Sequence, residues 1–285
     1  MNSILLDTIQ GKAHKRPPMW FMRQAGRVLP NYNELRVQHS FREMMADRSL
    51  GAKVTLMPVY DLGVDAAILF SDILVIPVAM GMELKWTDKG PVFPSPLSNS
   101  ASPVSSLQPN VGKLEYIYDV IDEVVKQRPV DIPLIGFCGA PLTTLCYMIQ
   151  GISSNGNFPD AMKFLYRSKV EAQKLIDAVT ELSIHYARKQ IEHGVEVFQL
   201  FETHAGLVPL EMYMELFMPA VRRIADAIRA EGIPFIFFPK GYASGLQYIT
   251  PELCNMVSID WQMPLAYARK LVHPEVGLQG NIDPR

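Results

Sequence analysis

The chain has 285 residues, 48% of them hydrophobic and 20% charged. That balance excludes disordered and fibrous classes, and the length suits one large α/β barrel or two ordinary domains. The formal net charge of −2 gives nucleic-acid binding no general electrostatic basis, and no run approaches the roughly 18 consecutive apolar residues of a membrane span. The opening residues, Met1 to Asp7, lack the basic and apolar regions of a secretory leader. Cys138, Cys146 and Cys254 form no CxxC pair and leave one cysteine unmatched, so a reducing, cytoplasmic setting is expected rather than a disulfide scaffold.

In chain order, short apolar runs predict strands at Met19–Met22, Ala66–Phe70, Pro133–Phe137, Val195–Phe201, Pro234–Phe238, Met256–Asp260 and Gly277–Gln279. Each is apolar nearly throughout, as a strand covered on both faces should be. Helical spacing places Leu114, Ile117, Ile121 and Val124 on one face. It does the same for Ala172, Leu175, Ile176, Val179 and Leu182, and for Val221, Ile224, Ala225 and Ile228. Alternating strands and helices imply parallel pairing with right-handed crossovers. Two segments interrupt the alternation. Leu84–Phe93, with Asp88-Lys89-Gly90-Pro91 at its centre, reads as a hairpin. Ser95–Pro109, rich in Ser, Pro and Asn, reads as a surface loop. Neither resembles a linker, so residues 1–285 are expected to form one domain.

No GxGxxG or GxxxxGK[ST] follows a strand, which removes the main support for dinucleotide and P-loop functions. Polar residues gather instead just past the strand ends: Arg23 to Arg27, Ser71-Asp72, Gly139 to Thr144, Glu202 to Gly206, and Lys240. In a (β/α)8 TIM-type barrel these positions share the C-terminal mouth, where active sites form. The first 50 residues hold eight Lys and Arg against four acids, a basic segment on an otherwise acidic body. Within it, Arg23-Gln24-Ala25-Gly26-Arg27 offers two planar forks suited to carboxylates, separated by a stretch with little side chain. The alternative is an ion-paired loop on a solvated basic surface. Asp72, on position alone, would read more readily as a helix cap.

Met22-Arg23-Gln24-Ala25-Gly26-Arg27 followed by Leu29-Pro30 resembles the signature of the uroporphyrinogen decarboxylase family. The resemblance continues through Phe70-Ser71-Asp72-Ile73-Leu74, Met80-Gly81-Met82, Lys89-Gly90-Pro91, Gly136-Phe137-Cys138-Gly139-Ala140-Pro141 with Tyr147-Met148, Phe201-Glu202-Thr203-His204-Ala205-Gly206, Asp260-Trp261 and Gln279-Gly280-Asn281-Ile282-Asp283-Pro284. It implies a distorted barrel that removes carbon dioxide from the four acetate arms of uroporphyrinogen without a cofactor or metal, acting as a homodimer. By the same resemblance, Asp72 accepts pyrrole N–H groups and favours a cationic intermediate. Arg23 and Arg27, with Gln24, Ala25 and Gly26 between them, bind substrate carboxylates, and Tyr147 and Thr203 offer hydroxyls. His204 is expected to be a buried structural histidine, and Lys240 an extra cation. Two positions depart from the pattern: Thr203 stands where the family more often has serine, and Val28 where it often has tyrosine. Family members continue beyond the position of Arg285 with a final strand, a Gly-His-Gly element and closing helices. The resemblance therefore implies a C-terminally shortened barrel without that histidine. Two rivals differ in class. One is a zinc- or corrinoid-linked methyltransferase on the same barrel, which would need a His-x-Cys pair that Thr203-His204-Ala205 does not supply. The other is a non-catalytic porphyrin-binding fragment.

Overall fold

Strand β1 (Ala67–Ile68) is followed by a hairpin of β2 (Lys85–Thr87) and β3 (Gly90–Val92), and then by β4 (Leu134–Gly139), β5 (Val197–Glu202), β6 (Phe235–Pro239), β7 (Met256–Ser258) and β8 (Gly277–Gln279). These assignments come from a computed structural model that describes residues 3–87, 90–100, 102–152 and 156–283. The hairpin is antiparallel, with Lys85 opposite Val92 and Thr87 opposite Gly90. Asp88 and Lys89, placed by the sequence at its turn, lie outside the described residues.

The other six strands form one parallel sheet in chain order, β1-β4-β5-β6-β7-β8. Every strand is added to the same growing edge. Right-handed crossovers then place the intervening helices on one face, and the sheet has no reversal point of the doubly wound kind. This is the winding of a TIM-type barrel, incomplete among the described residues because β1 and β8 remain edges. Strands β4 to β6 are buried throughout, as their largely apolar runs demand.

The expected strand at Met19–Met22 does not form. Its residues are too exposed for a covered strand, Met19 at 52% and Phe21 at 39%. Met19 accepts from the Asp65 backbone N–H at 2.8 Å, but its own N–H donates to the Asp65 side chain at 2.7 Å. A carboxylate thus takes the place of the next ladder carbonyl, and pairing stops after one residue. Trp20 still reaches the far edge of the sheet, its indole N–H donating to Gln279 Oε1 at 3.1 Å. Gln279 in turn donates to Gln199 Oε1 at 3.0 Å and to Ser258 Oγ at 2.6 Å. A partly buried polar layer therefore links β5, β7 and β8 to the N-terminal segment.

The helices follow their capping and periodicity signals. Helix α1 (Ile4–Ile9) is capped by Ser3. Pro30 opens α2 (Pro30–Gln38), Ser40 and Glu43 make a capping box for α3 (Phe41–Ala46), and Asp47 caps α4 (Arg48–Leu62). A short α5 (Val75–Ala79) follows β1. Helix α6 (Glu115–Gln127) buries Ile117, Ile121 and Val124, as its spacing predicts. Prolines open α7 (Pro141–Gln150) and α8 (Pro159–Arg167), and α9 (Lys169–Glu192) buries Ala172, Leu175, Ile176 and Val179. A three-residue α10 (Leu210–Met212) passes through a π turn at Tyr213–Phe217 into α11 (Met218–Ala230), and α12 (Leu265–Leu271) precedes β8. The Ser- and Pro-rich segment is not bare loop. It holds two 3-10 turns, Leu97–Asn99 and Val104–Ser106, with Leu97 buried.

Candidate active site

The polar residues at the C-terminal ends of the strands come together at one mouth. At β1, the Phe70 N–H donates to Thr55 Oγ1 of α4 at 3.0 Å, and Leu69 N–H to the Ile135 carbonyl at 3.0 Å. The chain beyond is thereby fixed, and Asp72 turns back on itself: its Oδ1 accepts from the Leu74 N–H at 2.7 Å. This Asx turn uses one carboxylate oxygen and is not a helix cap, because α5 begins later with Leu74 as its N-cap residue. Among the described residues the other oxygen has no protein donor. Burial pushes the Asp72 carboxyl up to about 6, against the pull of the Leu74 N–H and the Arg23 charge.

The arginine loop is held by Gln24. Its side chain is buried, donates to the Ala66 carbonyl at 3.0 Å and accepts from the Phe21 N–H at 3.1 Å. Gln24, expected as a substrate contact, therefore spends its amide on backbone and acts as the loop's anchor. Ala25 packs on a small apolar cluster that includes Leu29, Tyr32, Met57 and Phe70. Gly26 passes close to the Arg23 carbonyl, which a Cβ would meet at 3.1 Å. The Arg27 carbonyl accepts from Asn33 Nδ2 at 2.9 Å. With the turn so pinned, both guanidinium groups are presented to solvent. Among the described residues neither has a carboxylate within 4.0 Å, so the ion-paired-loop alternative is not what the structure builds.

Tyr147 lies on α7, whose start is fixed by a residue to which the sequence reading gave no role of its own. Glu202 ends β5 with its carboxylate fully buried. It accepts from the backbone N–H groups of Thr143 and Leu142 at 2.7 and 3.2 Å, from the Thr143 hydroxyl at 2.5 Å and from the Tyr213 hydroxyl at 3.3 Å. Burial raises this carboxyl to about 7. Thr143 Oγ1 also accepts from the His204 N–H at 3.2 Å. One carboxylate thus ties α7, the end of β5 and the π turn together beneath the mouth. The signal was in the sequence: an acid at the end of a strand that is apolar but for Gln199 must be paired to be tolerated.

The Tyr147 ring packs edge-on to Phe158 at 5.0 Å and lies 5.9 Å from His204. Its hydroxyl is raised by burial and by the Asp72 charge, with Arg23 opposing. Tyr116, also missed from sequence, feels the same carboxylate and is raised to about 12, chiefly by burial. Arg23, Asp72, Tyr116 and Tyr147 therefore form one electrostatic cluster. Thr203 is half-buried at the neighbouring strand end. His204, edge-on to Phe158 at 4.7 Å, is lowered to about 4 by burial and the nearby Lys240 charge, so it is neutral at pH 7. Lys240 lies over the Trp261 ring at 5.2 Å. Arg27 is set apart from the cluster, beside Tyr32.

Among the described residues no three His, Cys, Asp or Glu side chains gather as a metal site. The three cysteines are free and buried, and burial raises all three thiols, Cys138 and Cys254 to about 12. No helix among the described residues is long and apolar enough to cross a membrane.

Solved structures show the same architecture. A methyltransferase from Methanosarcina mazei superposes with a TM-score of 0.78 at 18% identity, covering 99% of this chain and 83% of that one. A B12-independent methionine synthase from Shewanella sp. W3-18-1 gives 0.52 at 10% identity over 87% of this chain and 81% of that one. At such identities the likeness is one of fold. Sequence relatives are much nearer. A uroporphyrinogen decarboxylase from Campylobacter concisus is 38% identical over 286 residues, covering 99% of this chain and 84% of that protein. One from Campylobacter hominis is 39% identical with the same coverage, and one from Geobacter metallireducens is 36% identical over 100% of this chain and 83% of its own. The sequence model described as Uroporphyrinogen decarboxylase (URO-D) matches residues 1–285. The chain belongs to the uroporphyrinogen decarboxylase family.

Proposed function

We propose that this chain removes carbon dioxide from the four acetate arms of uroporphyrinogen, giving coproporphyrinogen in tetrapyrrole synthesis. The observation that carries the reading is the half-open carboxylate of Asp72, buried enough to be raised to about 6 and coupled to Arg23 and Tyr147.

The chemistry needs an electron sink. Protonation of a pyrrole α-carbon makes the ring cationic. The bond between the acetate methylene and its carboxylate then breaks, and the electron pair flows into the ring as carbon dioxide leaves. Protonation of the exocyclic methylene and loss of the α-proton restore the pyrrole with a methyl group, so one proton is consumed for each carbon dioxide released. Above about pH 6 Asp72 is a carboxylate. Its unpartnered oxygen suits pyrrole N–H donors, and its charge favours the cationic ring most strongly in a water-poor setting. Arg23 and Arg27, free of acid partners among the described residues, suit substrate carboxylates. Gln24 holds their loop in place, Ala25 and Gly26 let the substrate approach the backbone, and the hydroxyls of Tyr147 and Thr203 supply further donors. We also propose a homodimer in a reducing, cytoplasmic setting, which the free buried cysteines support.

The test is an anaerobic assay of the folded chain with uroporphyrinogen, the products being oxidised and separated by carboxylate number. Products with seven down to four carboxylates, absent with Asp72→Gly, are expected. A folded wild-type chain that leaves the substrate intact, or an Asp72→Gly chain of normal rate, overturns the reading.

A further inference from the structure

Lys240 directly follows β6, three strands along the sheet from β1 and on the same mouth as Asp72. Its position is set by backbone on both sides. Its N–H donates to the Glu202 carbonyl at 3.0 Å, and its carbonyl accepts from the Gly206 N–H at 3.1 Å. That close approach needs two glycines: a Cβ on Gly206 would meet the Gly241 carbonyl at 3.0 Å. The ammonium lies 5.2 Å from the centre of the Trp261 ring. The nearby acid, Asp260, spends its oxygens on the N–H groups of Gly241 at 2.7 Å and Gln262 at 3.0 Å. Among the described residues no carboxylate comes within 4.0 Å of Lys240. The histidine beside it is neutral at pH 7 and cannot compete for an anion. A half-buried cation, stacked on an aromatic face and left without an acid, is built to receive one.

We propose that Lys240, with Trp261 beneath it, seats a propionate of the substrate on the side of the mouth remote from Arg23 and Arg27. The proposal rests on the decarboxylase reading and deepens it. The choice of propionate follows from the reaction. Each pyrrole of uroporphyrinogen carries one acetate and one propionate, and the acetates are consumed one by one. A seat that serves all four turnovers must hold the group that survives. Whichever ring is presented to Asp72, the ring reaching Lys240 still carries its propionate.

Coproporphyrinogen, the four-propionate product, isolates this contact from turnover, because it has no acetate left. Its equilibrium dissociation constant, measured anaerobically with the wild-type chain, Lys240→Gln and Lys240→Arg, tests the proposal. Lys240→Gln is expected to weaken binding about tenfold, as for loss of one charge-assisted hydrogen bond, and Lys240→Arg to restore most of it. In turnover, Lys240→Gln should raise KM by the same factor for the eight-carboxylate substrate and for the five-carboxylate intermediate, with kcat within about twofold. Unchanged coproporphyrinogen binding by Lys240→Gln, or a KM effect that fades as acetates are lost, overturns the proposal while leaving the decarboxylase reading intact. A folded wild-type chain that binds no porphyrinogen overturns both. Trp261→Leu, which keeps the charge and removes its platform, should weaken binding less than Lys240→Gln, and equal weakening by a chain of unchanged melting temperature would assign the contact to the indole.

Discussion

Asp72 is held in a state that costs the fold. Its carboxyl is raised to about 6, whereas an unfolded aspartate titrates near 4. Below about pH 4 it is neutral in both states and contributes no difference. As the pH rises to about 6, the unfolded chain ionises first and stability falls. Above that the penalty is complete, up to about 3 kcal/mol. Asp72→Asn should therefore unfold at a higher temperature than the wild type at pH 8 and at a similar one near pH 4, while losing turnover by a hundredfold or more, roughly the cost of one preorganised electrostatic group. Thermal melts at the two pH values, with the rate assay, check both halves. The wild-type rate should fall as the pH drops through about 6. The residues of this cluster differ in how plainly the sequence shows them. Asp72 and Arg23 each follow an apolar run in a recognisable pattern, as does Arg27 outside the cluster. Tyr116 does not, because it lies one residue before Ile117 on a helix whose visible signal is its apolar stripe.

At the scale of elements, α7 depends on Glu202. Helices normally leave their first N–H groups to solvent or to a local cap. Here the N-cap residue is Ala140, which has no side-chain hydrogen bond to give, and the acceptor comes from β5, some 60 residues along. The missing local cap was visible in Gly139-Ala140-Pro141, but the partner that replaces it is a property of the fold. Glu202→Ala strands two N–H groups and the Thr143 and Tyr213 hydroxyls. At pH 6, where the carboxyl is largely neutral and little desolvation cost is recovered, it should destabilise by about 3 kcal/mol. Denaturant unfolding at pH 6 measures this. Because α7 carries Tyr147, kcat should fall in the residual folded fraction. The strands were legible for the opposite reason. β4 to β6 are read from local apolar runs, and their observed ends lie within two residues of those expected. Met19–Met22 has the same apolar look, but pairing depends on the next donor finding a carbonyl, and Asp65 intervened.

At the scale of the whole molecule, the N-terminal segment behaves as a strap across the open side of the sheet. Arg16 makes two bonds to Asp65, at 2.6 and 2.8 Å, and the carboxylate also accepts the Met19 N–H. The Arg16 guanidinium holds Asp65 below the usual carboxylate range. Its contribution to stability is present above about pH 4 and is lost as the pH falls through the lowered value. Asp65→Asn should therefore lower the melting temperature at pH 7, and the difference from wild type should shrink below pH 3. Local amide exchange at Met19 should quicken in the variant. The second tie of the strap is the bond from Trp20 to Gln279. The two residues are 259 positions apart in the chain. During synthesis the segment that carries the two arginines emerges first, with Ala66 and Asp65 soon after. It waits for Gln279 until nearly all the rest of the sheet has left the ribosome. A contact of such sequence separation carries a large loop-closure cost and forms late. The part of the site made earliest is thus the last to be secured, and no nascent chain offers a finished arginine loop before its sheet is in place.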